Sequence, residues 1–106
     1  MEMKNDSFQD FVLDQLGELG PVDCRAMFGG HGLYFGRTFF GILHQGRLYL
    51  KTDAKTRADY ERHGMKPFRP NGRQTMKYHE VPADVVESRT ELAAWAQRAI
   101  SVAGAG

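Results

Sequence analysis

The densest group of chemically suggestive residues is Met27-Phe28-Gly29-Gly30-His31-Gly32-Leu33-Tyr34, with Arg25 and Arg37 on either side in sequence. A Gly-Gly-x-Gly loop can present successive backbone amides to a phosphate. In nucleotide-binding versions the glycines lead from a strand into a helix whose N-terminus holds the anion. Here they lead into a second β-rich run. The pattern therefore favours a tight chain reversal, and a small-ligand or anion site at residues 29–32, served by Arg25 and Arg37, is the alternative. His31, His44, His63 and His79 form no i, i+4 pair and have no carboxylate beside them in a ligand pattern. Cys24 would be a nucleophile only if the fold brought a histidine to it. Its alternation with Ala26 and Phe28 points instead to a buried, inert thiol. Asp6, Asp10 and Asp14, four apart, share one helix face and read as solvated. No catalytic, cofactor-binding or metal-ligating residue emerges, and the chain is expected not to be an enzyme.

Charge is informative in its distribution. The 106 residues carry 14 Lys and Arg against 13 Asp and Glu, a net of +1, which excludes a polybasic, histone-like protein. Residues 1–24 nevertheless sum to −5 and residues 47–77 to +6. Lys66, Arg69, Arg73 and Lys77, with Phe68 and Tyr78 nearby, are the candidate contacts to a nucleic-acid backbone. Direct nucleic-acid binding ranks behind protein docking, because the acidic first helix would repel phosphate if it lay close.

These residues must be positioned by one domain, since a chain of this length holds a single core. Phe8, Phe11, Val12, Leu16 and Leu19 recur at helical spacing, predicting a helix over 7–19, stopped by Gly20-Pro21. Strands are expected at 22–28, 32–35, 38–44 and 47–52, with hairpin turns at Gly36-Arg37 and Gln45-Gly46. Gly41, inside an apolar run, suggests a bulge or a close backbone approach. A polar helix follows over 54–63, capped by Thr52 or Asp53, with only Ala58 and Tyr60 as apolar contacts. A loop holding Pro67, Pro70 and the Asn71-Gly72 turn leads to a strand over 74–80. There Met76 and Tyr78 point one way, and Thr75, Lys77 and His79 the other. A short turn carrying Val85 and Val86 precedes a last helix over 89–102, striped by Leu92, Ala96, Ala99, Ile100 and Ala103 with Trp95 beside it. Two-residue turns forbid crossover helices, so the class is α+β, mostly antiparallel, in the order α-β-β-β-β-α-β-α, with helices on one face. Nothing in the N-terminus resembles a signal peptide, and no run is long enough to span a bilayer, so a cytoplasmic protein is expected.

Four stretches in this order resemble the N-terminal domain of the TfoX/Sxy family of bacterial competence regulators. They are Arg25-Ala26-Met27-Phe28-Gly29-Gly30-His31-Gly32-Leu33-Tyr34, Gly46-Arg47-Leu48-Tyr49-Leu50-Lys51, Met76-Lys77-Tyr78-His79-Glu80-Val81-Pro82 and Leu92-Ala93-Ala94-Trp95-Ala96. The resemblance runs from about Phe8 to Ile100. It implies an α+β fold grouped with secretion-chaperone-like domains, and a transcription-regulating role without enzymatic activity or cofactor. It also implies a protein partner, a CRP-type transcription activator, and marks Arg25, Met27, Phe28, Gly29, Gly30, Gly32 and Tyr34 as signature positions. Full-length members carry a helical C-terminal domain, and the 106 residues are expected to form a stand-alone N-terminal-type domain without it. A homodimer through an uncovered strand edge is a further expectation.

Overall fold

The computed structural model describes residues 4–27, 29–69 and 75–105, with the side chains of 4–6, 75, 76 and 105 outside the description. Helix α1 (Lys4–Gln15) tightens into a 3-10 turn (Leu16–Leu19) and gives way to strands β1 (Asp23–Met27), β2 (Gly30–Phe35), β3 (Thr38–His44) and β4 (Arg47–Lys51). Then come α2 (Ala54–Arg62), the two-residue β5 (Pro67–Phe68), β6 (Thr75–Glu80), α3 (Ala83–Val86) and α4 (Arg89–Ala105). The strands form one antiparallel sheet in the order β1-β2-β3-β4-β6-β5. The α+β class and the expected order stand, with β5 added. The first helix starts three residues before the expected Ser7, and its final turn is 3-10. β2 begins at Gly30, two residues earlier than expected.

Local chemistry explains the joints. At Gln45-Gly46 both residues have positive φ, 51° and 74°, the requirement of a type I′ hairpin. At Gly36-Arg37 only Gly36 does, matching type II′. Asp53 caps α2 by accepting from the Lys55 and Thr56 amides, while the Thr56 hydroxyl accepts from the Asp53 amide. Pro67 belongs to an edge strand, where its missing N–H costs no interior ladder bond.

The helices cover one face. Val12 and Leu16 of the N-terminal segment and Leu92, Trp95, Ala96 and Ala99 of α4 close over Leu33, Phe40, Leu43, Leu48 and Leu50. Phe40 reaches this core because the β2–β3 register slips beside Gly41, a bulge that turns Phe40 toward the helices. Gly41 is bare for a reason: a Cβ there would sit 3.1 Å from the Tyr49 carbonyl oxygen and 3.1 Å from Leu50 Cδ2. Buried Gln15 is satisfied by donating to the Val86 carbonyl at 3.0 Å. Arg89, at the start of α4, reaches Asp14 at 3.1 Å and Glu18 at 3.9 Å and ties the two ends of the helical layer.

The glycine-rich signature splits into different jobs. Gly29, at φ 69°, turns the chain. Gly30 and Gly32 lie within β2 and turn nothing, which corrects the expectation that residues 29–32 as a group serve chain reversal. A Cβ on Gly30 would stand 2.2 Å from the Leu43 carbonyl oxygen, a rigid backbone atom of the neighbouring strand. A Cβ on Gly32 would meet the Phe39 ring at 2.9 Å, a side chain able to swing aside. Gly30→Ala is therefore expected to cost about 3 kcal/mol. Gly32→Ala is expected to cost about 1 kcal/mol. Urea denaturation of the two variants measures the difference.

Candidate functional site

The sheet face away from the helices has no element over it among the described residues, and it gathers five aromatic side chains, Tyr34, Phe39, Tyr49, Phe68 and Tyr78. Alternation and register place Arg25 on β1, Gly32 and Tyr34 on β2, Phe39, Ile42 and His44 on β3, Tyr49 and Lys51 on β4, and Tyr78 on β6 together there. The rings fall into two rows. In one, Tyr34 stacks on Phe39 at 5.1 Å between centroids, and Phe39 meets Tyr78 at 5.8 Å. The Arg25 guanidinium lies over Tyr34 at 4.5 Å and the Lys51 ammonium over Tyr78 at 5.2 Å. In the other, Phe68 of β5 sits 4.6 Å from Tyr49 and 5.3 Å from His44. Ile42, 7% exposed, is buried without belonging to the helix-side core, so this face has an apolar floor of its own. Gly32 completes the floor, since only a residue without Cβ leaves the Phe39 ring where it lies. Burial lifts the Tyr78 phenol above its ordinary range, with Tyr34 adding to the shift. It does the same for Tyr49.

The signature positions divide accordingly. Arg25, Gly32, Tyr34 and Met27, the last 42% exposed, belong to the uncovered face, and Gly29 and Gly30 to the hairpin end. Phe28 lies outside the described residues. A cavity of about 290 Å³ opens at that end, lined by Phe8, Gln9, Gly29, Gly30, His31 and His44 among others. Neither arginine proposed for an anion lines it: Arg25 is on Tyr34, and Arg37 sits beyond the far end of β2. Six strand residues, roughly 20 Å, separate Arg37 from the Gly30 end. Of the four basic residues nominated for nucleic acid, Lys66 and Arg69 bracket β5, Lys77 lies on β6, and Arg73 is outside the described residues. The acidic first helix is on the covered side, so the repulsion argued from it does not act on the uncovered face.

A second surface opens beside α1. Phe8, Phe11, Leu48, Val81 and Val86 line an apolar groove of about 360 Å³ between α1, β4 and α3. Phe11 is 42% exposed within it, against the helical spacing that would bury it with Val12. Its rim is charged: Arg47 donates to Glu80 at 3.2 Å, and Glu87 stands nearby.

Cys24 is half-buried and its neighbour Ala26 exposed, which corrects the expectation of a buried thiol because β1 is the edge strand of the sheet; the partial desolvation still raises the thiol pKa, away from a reactive thiolate. Among the described residues, no group of three or more His, Cys, Asp or Glu side chains is placed to hold a metal ion. His79, fully buried, shares a hydrogen bond with the Thr52 hydroxyl through Nδ1 at 3.0 Å, and its Nε2 has no partner. Tyr60 packs against it and against Trp95. Desolvation pushes the His79 pKa down, opposed by Glu61 and assisted by Arg57.

A family model described as the TfoX N-terminal domain matches residues 14–103. No curated protein matches the sequence.

His79 gives a pH prediction. With the folded pKa below the unfolded one, the unfolded chain binds the extra proton as pH falls through about 6.5, and stability drops with it. Thermal melts from pH 7.5 to 5 should show a falling midpoint, with a slope of at most about 1.4 kcal/mol per pH unit from this one group. The His79→Gln variant should lose that component of the slope.

Proposed function

Because the chain belongs to the TfoX N-terminal domain family, we propose that it is a non-enzymatic regulatory module that acts by docking on a protein partner. The partner proposed is a CRP-type transcription activator, in keeping with a role in bacterial competence regulation. The observation that carries the docking surface is Phe11. A large apolar side chain left 42% exposed at the mouth of an apolar groove is an unmet hydrophobic contact. The groove floor, Leu48, Val81 and Val86, is already part of the core, so its shape is fixed before any partner arrives. Rigid apolar pockets of this kind take an anchoring side chain from a partner, while the charged rim sets orientation. Arg47, Glu80 and Glu87 supply that rim.

Phe11→Ser removes the exposed ring and leaves the buried helix face, Val12 and Leu16, in place. Its unfolding free energy should stay within about 1 kcal/mol of the parent. Binding to a purified CRP-type activator, followed by calorimetry, should weaken at least tenfold, the usual loss of an interface anchor. Unchanged affinity would remove the groove from the interface. Failure of the parent chain to bind that activator would remove the proposed partner.

A further inference from the structure

We propose that the uncovered sheet face binds a single strand of nucleic acid, its bases against the Tyr34–Phe39–Tyr78 row and its phosphates on Arg25 and Lys51. Charge and ring placement argue for this occupant independently. Segments 25–52 and 66–79, which supply all of β2 to β5 and most of β1 and β6, carry eight Lys and Arg and no Asp or Glu. The strands hold acids only at their ends. These are Asp23, which opens β1, and Glu80, which closes β6 already paired with Arg47. The other acids among the described residues stand on helices or at their ends, on the covered side. By register the uncovered face carries Arg25, Arg47 and Lys51 together with Asp23 and Glu80, while Lys77 alternates to the helix side. With Glu80 paired to Arg47, Arg25 and Lys51, each seated on a ring, are the cations this face offers a polyanion.

Charge alone would suit any polyanion, and the rings narrow the choice. Three aromatic side chains in series, at 5.1 and 5.8 Å, form a strip with a cation over each outer ring. An unpaired base has an exposed π-face that stacks on such rings and exchanges with the guanidinium already lying there. A duplex hides those faces and offers only its phosphates. An acidic peptide would use the cations and gain little from the rings. Tyr49 and Phe68 continue the aromatic surface across β4 and β5. From β2 to β5 the face spans four strand spacings, roughly 19 Å, enough for a short run of nucleotides.

The test uses the whole chain and fluorescein-labelled 12-mers of dT and of rU, read by anisotropy at 50 mM salt. Dissociation constants between about 1 and 100 µM are expected, weakening as salt rises. The same 12-mer as a duplex should bind at least tenfold more weakly. The dT and rU arms show which sugar is preferred, and binding of either supports the proposal. Arg25→Gln combined with Lys51→Gln should reduce the slope of log affinity against log salt by about 1.4, two single-strand phosphate contacts. Tyr78→Leu should weaken binding about 5- to 150-fold. Lys55→Gln, on α2, should change nothing. Photo-crosslinking of a 5-bromouridine 12-mer to the unaltered chain should label peptides holding Tyr34 or Tyr78. The proposal is overturned by any one of four results: no binding at 100 µM protein, equal binding of the duplex, displacement by polyglutamate as readily as by dT, or crosslinks confined to helical peptides. None of these depends on the α1 groove, because Phe11→Ser leaves the sheet face intact and should bind the 12-mers like the parent.

Discussion

The closure of one sheet face by α4 is the interaction on which the rest of the molecule depends. Leu92, Trp95, Ala96 and Ala99 recur at three- and four-residue steps and press onto Leu33, Phe40, Leu43, Leu48 and Leu50. Ala96 and Ala99 are small, so the helix axis can approach β3 and β4 closely while Leu92 and Trp95 fill the flanks. All the large aliphatic side chains of β4 are spent on this side. The other side therefore receives Tyr49 and Lys51, side chains with an apolar body and a polar tip. An uncovered face of half-buried tyrosines and long cations is thus the direct consequence of putting every helix on one side.

Strand β6 links the two sides. Tyr78 and His79 are neighbours in sequence, and the pleat sends them to opposite faces. His79 packs against Tyr60, which in turn meets Trp95, and desolvation there lowers the imidazole pKa. Tyr78 joins the ring row outside. Burying the imidazole costs solvation that the single hydrogen bond to Thr52 only partly returns. Tyr60 offsets part of that cost by anchoring α2, an otherwise polar helix, to α4 and the sheet.

Much of this was legible in the residues. Both two-residue hairpins and the stripe of α4 follow from rules in which a local pattern has one physical solution, while local pattern narrows the α2 cap to Thr52 or Asp53 and Gly41 to a bulge or a close backbone approach. The opposite orientation of Tyr78 and His79 follows from alternation alone. What was not legible depends on contacts between distant segments. Helical spacing assigns Phe11 to the core, yet the burial of α1 is narrower than its apolar stripe, and Phe11 is left at the groove. The glycines of the signature read as one loop, because nothing in a Gly-Gly-x-Gly string tells a turn glycine from one facing the Leu43 carbonyl or the Phe39 ring. The aromatic face is legible only in part, with Tyr34 and Tyr49 exposed by alternation but their neighbours in space not given by it. Its rings come from residues 34, 39, 49, 68 and 78, and only the strand order brings them together.

The segregation of charge follows from what each layer demands. Helix ends and exposed helix faces accept acids readily, and here the acids are partly met by arginines on other helices: Arg89 on Asp14 and Glu18, Arg98 on Asp59. The sheet needs no cations for its own stability, because backbone ladders and the helix-side core already hold it. Arg25 and Lys51 therefore sit on aromatic rings of the uncovered face and not in the core, and Arg47 is met by Glu80. Exposed like charges on one face repel one another and lower stability slightly. A fold that tolerates this repulsion, and seats two of those cations on aromatic rings, has a surface whose electrostatics are completed only by something brought from outside.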